Sequence, residues 1–277
     1  MLSILITAYN RQVYIAQAIQ SVLNSSYTNF ELLIVDDAST DNTVSIARQF
    51  ETDSRVKLFV NKHNLGQFDN RNYAASLAKA VYIKYLDSDD ILYPHSLGIM
   101  VEAMLAFPEA ALGICEKYHD STLPYPFSLT PAQSVATHYL QRELLMIGPS
   151  GTIIKKSAFF EVGGFENYGM PSDNHLTLKM AGKYPVVILQ RDLFWWRPHD
   201  GQVSIQNKGN YQNILSNYLF NTDIIVHYSP LSKKENRQVA RNQRKIFFMN
   251  LFKLSFKKGR FMRAILLLHQ YLKRKKV

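Results

Sequence analysis

Residues 2–10 read LSILITAYN, a short apolar run that ends in small and polar side chains. Its isoleucines and its short length favour a buried strand over a helix. Apolar residues then recur at helical spacing from Ile15 to Leu23, and Asn24 begins a polar group that predicts the end of this helix. A strand followed at once by a helix is the first unit of an α/β fold.

The same alternation continues through residue 107. Three further strands are predicted at residues 32–35, 56–60 and 81–86, and three further helices at residues 43–50, 67–79 and 94–107. This order predicts a mostly parallel sheet with helices on both faces. Right-handed crossovers place the carboxyl ends of its parallel strands at one edge, where ligands of such sheets bind.

Beyond residue 107 the alternation weakens. We predict a loop at residues 121–131, where three prolines occur, helices at 137–146 and 176–181, strands at 150–155 and 186–189, and helical structure from residue 207 onward. The chain is therefore divided into a domain of residues 1–205 and a helical, basic extension of residues 206–277.

Three polar turns follow predicted strands and should meet at the ligand-binding edge. They contain Thr7, Ala8 and Tyr9; Asp36 and Asp37; and Asp87, Ser88, Asp89 and Asp90. Carboxylates this close repel one another unless a cation or hydrogen-bond donors offset their charge. Mg²⁺ or Mn²⁺, held by carboxylates and substrate phosphates, fits such a turn. Helix capping or a solvated turn is the alternative interpretation of an isolated acidic cluster, but several turns on one edge favour a pocket for a metal-bridged diphosphate.

Other residues near these turns have two interpretations each. One carboxylate of the Asp36-Asp37 pair could accept hydrogen bonds from a base or ribose, while the other caps the turn that follows. Arg71 could stack on a base or pair with a phosphate, or it could be a surface helix residue. His199, which follows two tryptophans, could complete a metal shell, or its segment could be a strand packed against the sheet.

Five motifs occur in order at residues 3–10, 35–43, 64–66, 71–72 and 86–90. Together they resemble the family 2 glycosyltransferases, over about residues 1–200. The resemblance implies a GT-A fold, with a Rossmann-like, mostly parallel sheet flanked by helices, extended here by C-terminal helices. It also implies a metal-dependent enzyme with Mn²⁺ or Mg²⁺ as cofactor. The implied reaction is an inverting transfer of a sugar from a nucleotide-diphosphate sugar to an acceptor hydroxyl.

The resemblance also assigns roles to the polar turns. It implies that Asp37 lies at the nucleobase and that Asp89 is the direct metal ligand. The expected substrate-binding residues are Thr7, Ala8, Tyr9, Asp36, Asp37, Arg71, Asp87 and Ser88, and the expected metal ligands are Asp89, Asp87 and His199.

In this family a later acidic pair, usually Glu-Asp, supplies the general base. Here Asp173 stands at the position of the base, and Ser172 stands where the family usually has Glu. This departure leaves Glu166 as a second candidate base. His175 is a third, although a histidine at the start of a helix is more often a cap or a core residue. It also leaves an alternative function, that of a catalytically impaired relative that only binds nucleotide sugars.

The charge is distributed unevenly. The 277 residues carry a formal net charge of +10, but residues 233–277 hold 15 Lys or Arg and one acid, Glu235, so the rest of the chain is net acidic. Charge confined to a tail argues against a protein that binds nucleic acid with a basic face of its fold. The tail predicts two amphipathic helices joined near Gly259. They either lie at an anionic membrane interface or pack on the domain.

The remaining features of the sequence indicate where in the cell the protein is expected. A single cysteine, Cys115, cannot form an internal disulfide and fits a reducing compartment. There is no secretory signal pattern and no run of 18 apolar residues. We therefore expect a cytoplasmic protein, peripheral on the inner face of the membrane if its tail binds lipid.

The resemblance narrows the expected reaction. The absence of membrane spans, and of the Gln-Xaa-Xaa-Arg-Trp sequence of the family's processive synthases, favours transfer of a single sugar. We expect a role in cell-surface polysaccharide or glycolipid synthesis. By resemblance the expected donor is a UDP-sugar, and the expected acceptor is a saccharide or a lipid-linked saccharide.

Overall fold

The computed structural model describes residues 1–116, 123–169, 171–200, 202, 210–257 and 259–274. The strands in these residues are β1 (Leu2–Ala8), β2 (Phe30–Asp36), β3 (Val56–Val60), β4 (Tyr82–Tyr85), β5 (Ile91–Leu92), β6 (Leu112–Cys115), β7 (Phe127–Leu129), β8 (Thr152–Lys155), β9 (Val186–Leu189) and β10 (Phe194–Trp195). The helices are α1 (Ile15–Leu23), α2 (Thr43–Arg48), α3 (Gln67–Leu77), α4 (Ser96–Ala106), α5 (Pro131–Ala136), α6 (Lys156–Glu161), α7 (Ser172–Lys183), α8 (Gln212–Asp223), α9 (Lys233–Phe252) and α10 (Phe261–Arg274).

The main sheet has the strand order β3-β2-β1-β4-β8-β6-β9-β7. The strands β3, β2, β1 and β4 are parallel to one another, as are β6 and β9, whereas β8 and β7 run antiparallel to their neighbours. The predicted mostly parallel sheet flanked by helices is therefore confirmed. Because β2, β1 and β4 are adjacent and run the same way, the turns that follow them lie side by side.

The central strand β1 is buried on both faces. Leu5 packs in one hydrophobic layer with residues of α3 and α7, while Ile4 and Ile6 pack in the opposite layer with residues of α1 and α4. None of these three side chains is exposed to solvent. Burial of each stabilises the fold by about 1.5–3 kcal/mol, which explains why this strand reads as a continuous apolar run.

The segment between β6 and β8 corrects the prediction of a loop at residues 121–131. Residues 121 and 122 lie outside the described residues, but Phe127–Leu129 forms an edge strand that pairs with β9. The side chains of Phe127 and Leu129 pack against the core. Pairing with β9 and this apolar contact outweigh the nearby prolines, which lie outside the strand.

The helix predicted at residues 137–146 is also shifted. Helical structure begins at Pro131 and ends at Gln141. Thr130 caps this helix by accepting a hydrogen bond from the backbone N–H of Gln133, and proline fits its first turn. The capping pair determines the start of the helix more strongly than the apolar periodicity does.

The C-terminal helices α8, α9 and α10 share a small hydrophobic core of their own. Gly259 lies between α9 and α10 with a φ of 60°, a conformation that glycine adopts without strain, at the predicted junction. This core consists of Leu215, Phe247, Leu251, Leu254, Ala264, Leu267 and Tyr271. The predicted domain boundary at residues 205 and 206 lies outside the described residues, as do residue 207 and the basic residues Lys258, Lys275 and Lys276. In the described part of the chain, no helix is both long and apolar enough to cross a bilayer.

Candidate active site

A cavity of about 1220 Å³ lies at the carboxyl ends of β1, β2 and β4. The side chains that line it come from all three polar turns, from α3 and from α7. They include Thr7, Ala8, Tyr9, Asp37, Arg71, Asp87, Ser88, Asp89, Asp90 and Asp173. Asp37 and Asp89, which follow different strands, thus face the same cavity. Asp36 and His199 do not belong to the lining.

Asp36 shapes the turn that follows β2. Its buried carboxylate accepts hydrogen bonds from the backbone N–H of Ser39, at 2.8 Å, and from the Ser39 hydroxyl. Burial raises the pKa of Asp36, and the bonds from Ser39 oppose that shift. Ala38 has a φ of 61°, in the left-handed region that strains alanine. Asp36 therefore has the turn-capping role that the sequence left open for one of the two aspartates.

Asp37 holds the neighbouring loop at the cavity wall. Its carboxylate accepts hydrogen bonds from the backbone N–H groups of Leu65 and Gly66, at 2.8 and 2.9 Å. The side-chain amide of Asn61 donates a third bond at 2.9 Å. Three donors fix the orientation of the Asp37 carboxylate, which places a preorganised acceptor at the β2 end of the cavity.

Arg71 of α3 contacts two carboxylates from distant parts of the chain. Its Nη1 donates to Oδ1 of Asp173 at 2.5 Å, and its Nη2 donates to Oδ1 of Asp87 at 2.7 Å. The guanidinium is buried beside the Phe165 ring, with its carbon 5.4 Å from the ring centroid. Its Nε is buried and has no hydrogen-bond partner among the described residues. The planar guanidinium can bind two acceptors at fixed angles, so it sets the position of Asp173 relative to the acidic turn.

Asp173 lies in the first turn of α7 and lines the cavity. Burial raises the pKa of the Asp173 carboxyl; Arg71 lowers it and the charge of Asp87 raises it, and the net shift is upward. A carboxylate with a raised pKa is a better proton acceptor near neutral pH. Asp173 therefore lies at the cavity with a carboxyl whose pKa is raised by burial.

Three residues near Asp173 in the sequence, Glu166, Ser172 and His175, do not line the cavity. Ser172 is fully buried and closes the turn before α7, accepting from the backbone N–H of Tyr168 and donating to the carbonyl of Gly169, both at 2.8 Å. Its hydroxyl thus makes local bonds in the position of the usual Glu. It does not line the cavity.

Glu166 and His175 have structural partners. Glu166 pairs with the buried ammonium of Lys179 at 2.5 Å and does not line the cavity. The His175 ring is fully buried, and its Nε2 lies 2.9 Å from Oδ2 of Asp223 in α8. Burial lowers the pKa of His175. His175 is a core residue that joins α7 to α8. Among the three candidate bases, Asp173 is the one that lines the cavity.

Asp89 is surrounded by cations and a histidine. Its Oδ2 lies 3.0 Å from Nε2 of His199 and 3.6 Å from Nε of Arg11. The backbone carbonyl of Asp89 accepts a bond from Arg197, whose guanidinium lies over the ring of Trp195. His199 is thereby held at the acidic turn although it is 110 residues away in sequence.

Asp89 and His199 are the residues at this turn that could hold a divalent cation together with a substrate diphosphate. The other ring nitrogen of His199, Nδ1, is buried and has no hydrogen-bond partner among the described residues. A carboxylate and an imidazole suit Mn²⁺, whose remaining ligands would be phosphate oxygens and water. Within the described residues no group of three or more His, Cys, Asp or Glu side chains could hold a metal ion. Asp87, expected as a further ligand, accepts a hydrogen bond from Arg71.

Buried groups behind the acidic turn support it. Asp90 is almost fully buried, and burial, helped by the charge of Asp87, raises its pKa to about 7. The Lys84 ammonium, fully buried under the turn, donates to the carbonyls of Tyr85 and Ser150, and burial lowers its pKa to about 8. The Ser150 hydroxyl accepts a bond from the backbone N–H of Asp87. These contacts fix the turn to β4 and to the segment before β8.

Two parts of the cavity wall and one cation were not predicted from the sequence. One part lies between residues 143 and 150, and the other, just before and within the first turns of α8, contributes Asn210, Gln212, Asn213 and Ser216. The polar residues 212, 213 and 216 alternate with apolar residues at helical spacing, and this amphipathic pattern was the available signal. Arg11 directly follows the first polar turn, so its position next to that motif could have identified it.

A family model described as Glycosyl transferase family 2 matches residues 3–163. The chain belongs to glycosyltransferase family 2. The matched residues include the three polar turns and Arg71, and they end before Asp173. The predicted family is thereby confirmed.

Curated relatives of this family 2 chain match parts of its length. It is 40% identical over 105 residues to the UDP-Glc:alpha-D-GlcNAc-diphosphoundecaprenol beta-1,3-glucosyltransferase WfgD of Escherichia coli, covering 38% of this chain and 41% of WfgD. An uncharacterized glycosyltransferase of Haemophilus influenzae is 40% identical over 106 residues, covering 38% of this chain and 42% of that protein. The match thus spans about two fifths of the length of these relatives. Glycosyltransferase GlyG of Streptococcus pneumoniae serotype 4 is 26% identical over 222 residues, covering 73% of this chain and 72% of GlyG.

Solved structures share the fold over nearly the whole chain. TarS of Staphylococcus aureus in complex with UDP-GlcNAc superposes with a TM-score of 0.72 at 16% identity, covering 95% of this chain and 79% of that one. The mannosyltransferase PcManGT of Pyrobaculum calidifontis, in complex with GDP-Man and Mn²⁺, gives a TM-score of 0.64 at 15% identity, covering 100% and 80%. At these identities the likeness shows the fold, and the predicted GT-A fold is confirmed.

Proposed function

We propose that this glycosyltransferase transfers a single sugar, with inversion, from a UDP-sugar to a hydroxyl of a lipid-linked saccharide. One observation carries the proposal: Asp37 and Asp89, which follow different strands, line the same cavity as Asp173. A nucleoside contact, a diphosphate contact and a base are the three functions that such a transfer needs in one cavity. We further propose that the product belongs to a cell-surface polysaccharide or glycolipid.

The names of related proteins support the choice of substrates. WfgD, 40% identical over the aligned part, is named for a UDP-Glc donor and a diphosphoundecaprenol-linked acceptor. TarS, which shares the fold, has been solved with UDP and with UDP-GlcNAc. We extend the uridine nucleotide and the lipid-linked acceptor to this chain on that basis.

In the proposed reaction the acceptor hydroxyl attacks the anomeric carbon from the side opposite the leaving group. The bond from the acceptor oxygen to the anomeric carbon forms as the bond to the β-phosphate oxygen breaks, and the electron pair of that bond leaves with UDP. Asp173 takes the hydroxyl proton, a step that typically contributes 10²–10⁴-fold in rate. Arg71 holds the Asp173 carboxylate, and the walls of the cavity align donor and acceptor.

We propose that Asp89 and His199 hold Mn²⁺ or Mg²⁺ when the donor is bound. When bound, the cation neutralises charge that develops on the departing diphosphate. Asp87 stays a predicted ligand, and its bond to Arg71 suggests a second role, which is to position that arginine. Arg11, 3.6 Å from Asp89, supplies further positive charge at the same place.

The alternative is a catalytically impaired relative that binds a nucleotide sugar without transferring it. Ser172 is the observation that favours it, because the family's usual Glu beside the base is replaced by a hydroxyl whose bonds among the described residues are to its own turn. Arg71 is the counter-argument, since it contacts Asp173 directly and orients it without a neighbouring Glu.

A donor screen tests the proposal. We would measure the melting temperature with UDP, GDP and dTDP, each with Mn²⁺ or with EDTA, and then assay UDP-sugars for transfer to a GlcNAc-diphosphate lipid. We expect UDP with Mn²⁺ to raise the melting temperature most. This rise should be lost in Asp89→Asn and retained in the control Asp192→Asn, whose side chain is exposed. No shift with any nucleotide would overturn the donor site. A shift without transfer to any acceptor would favour the impaired relative.

A further inference from the structure

The helices α9 and α10, with the described residues between them, form what we call the C-terminal hairpin, residues 233–257 and 259–274. Its surface carries large apolar side chains that are between 43% and 76% exposed. They include Phe248, Phe252 and Phe256 on the first arm, and Phe261, Met262 and Ile265 on the second. An apolar surface of this kind on a folded chain marks an interaction site.

The exposed residues are arranged in rows separate from the core of the hairpin. Phe248, Phe252 and Phe256 recur every four residues, and the rings of Phe252 and Phe256 lie 4.7 Å apart. In α10 the inner side is formed by Ala264, Leu267 and Tyr271, which are buried against α8 and α9. Residues 261 and 265 lie one turn apart on another side of the same helix. Phe248 also contacts the ring of Tyr271 in the core, with the ring centroids 5.8 Å apart, but none of the six exposed residues belongs to the buried core of the hairpin.

Exposed cations accompany these rows. Lys245, Lys253, Arg260, Arg263 and Lys273 lie on the hairpin and are exposed. In the whole segment 233–277 a single acid, Glu235, opposes 15 Lys or Arg. Glu235 is occupied in the capping box of α9, where it accepts from Ser232. The surface therefore suits a partner that is both anionic and apolar.

An anionic phospholipid bilayer has both properties, because its headgroups attract cations and its acyl boundary accepts aromatic and aliphatic side chains. A nucleic acid would use the cations but would leave the rows of Phe, Met and Ile in water. The combination favours the bilayer.

The hairpin is coupled to the cavity through α8. Gln212, Asn213 and Ser216 of this helix line the cavity, while Leu215 and Tyr218 pack against the hairpin. One helix thus separates the exposed apolar surface from the cavity wall. We propose that the C-terminal hairpin binds the interface of an anionic phospholipid bilayer and so holds the cavity beside the membrane. That this position brings the cavity close to a lipid-linked acceptor rests on the proposed function. The binding of the hairpin to the bilayer does not depend on that function.

Vesicle sedimentation tests the proposal with the full chain. The vesicles would contain either phosphatidylcholine alone or phosphatidylcholine with 30% phosphatidylglycerol, a composition chosen to give the anionic surface charge that the cations should recognise. We expect binding to the anionic vesicles, weakened by 0.5 M salt, and little binding to the neutral ones. Phe252→Gln combined with Phe256→Gln and Met262→Gln should reduce binding at least tenfold. The matched control carries Val81→Gln, Leu105→Gln and Val226→Gln, three exposed apolar residues outside the hairpin, and should bind as the wild type does.

Several outcomes would overturn the proposal. They are no binding by the wild type, equal loss in both triple variants, or unchanged binding in the hairpin variant. A wild type that is dimeric by light scattering and becomes monomeric in the hairpin variant, without vesicle binding, would assign the surface to a second copy of the chain. Binding of the wild type to nucleic acid, without binding to vesicles, would assign the surface to a nucleic acid. Circular dichroism checks that the variants fold, and UDP stabilisation measured separately tells failure of the donor proposal from failure of this one.

Discussion

The Asp173 carboxylate accepts a 2.5 Å hydrogen bond from Arg71, a residue 102 positions earlier in the chain. The bond joins α7, which carries Asp173, to α3, which carries Arg71. Because the same guanidinium also bonds Asp87, the candidate base and the acidic turn are positioned by one buried cation. One side chain therefore links the candidate base to the acidic turn of the cavity.

Replacing Arg71 by Met should destabilise the fold. The change leaves two partly buried carboxylates without their cation, and we expect the free energy of unfolding to fall by about 3 kcal/mol. Urea denaturation measures this fall. Arg48→Met, which removes an exposed arginine 4.0 Å from Glu51, is the control and should cost less than about 1 kcal/mol. Equal losses in the two variants would mean that Arg71 does not hold the two carboxylates together.

Replacing Asp173 by Asn should remove the base while keeping the size of the side chain. We expect the rate of sugar transfer to fall by about 10²–10⁴-fold, with the dissociation constant for UDP changed little. Transfer assays and calorimetric titration measure the two effects. Ser172→Ala is the neighbouring control, and it should retain transfer within a few fold while losing about 1 kcal/mol of stability. Transfer by Asp173→Asn at the wild-type rate would require another base.

His138 should make stability depend on pH in the acid range. Its ring is buried and accepts a hydrogen bond from the backbone N–H of Leu145 through Nδ1, and burial lowers its pKa from 6.5 to about 4. The unfolded chain takes up this proton before the folded chain does. The stabilisation is therefore complete above about pH 6.5 and is lost as the pH falls toward 4, by about 3 kcal/mol in all.

Urea denaturation at pH 7.5, 6 and 4.5 measures this loss. His138→Gln keeps an acceptor for Leu145 but does not titrate, so it should show a smaller loss between pH 7.5 and 4.5 than the wild type. The exposed His95→Gln should behave as the wild type does. The same slope in all three proteins would show that His138 is not the titrating group.

The sequence predicted the parallel half of the fold well because that half follows local rules. Each buried strand, such as Leu2–Ala8, is a short apolar run followed by a helix of clear periodicity. The acidic turns were located by the same logic, since parallel neighbours must present their carboxyl ends together. That reasoning correctly placed Asp37 and Asp89 in one cavity.

The rest of the site depends on contacts between residues far apart in sequence. No local pattern states that Arg71 bonds Asp173 or that His199 reaches Asp89, because both contacts depend on how the later elements cross the sheet. The edge strand Phe127–Leu129 was missed for the same reason, as its partner β9 lies about 60 residues later. The local composition of its neighbours, rich in proline, favoured a loop.

The cation site should be visible as a metal dependence of nucleotide binding. We expect the affinity for UDP to be at least tenfold higher in Mn²⁺ than in EDTA, because Asp89 and His199 can share a cation with the diphosphate. His199→Ala should shrink this ratio, and the exposed His95→Ala should keep it. Calorimetric titration supplies both values, and an unchanged ratio in His199→Ala would remove this histidine from the site.

The central claim is that Asp37 and Asp89 hold a single nucleotide, and the most direct test is a crystal structure of the chain with UDP and Mn²⁺. We predict electron density for uracil within hydrogen-bond distance of the Asp37 loop and for the diphosphate at Asp89. UDP bound in another cavity, or touching one of these two aspartates and far from the other, would contradict the account.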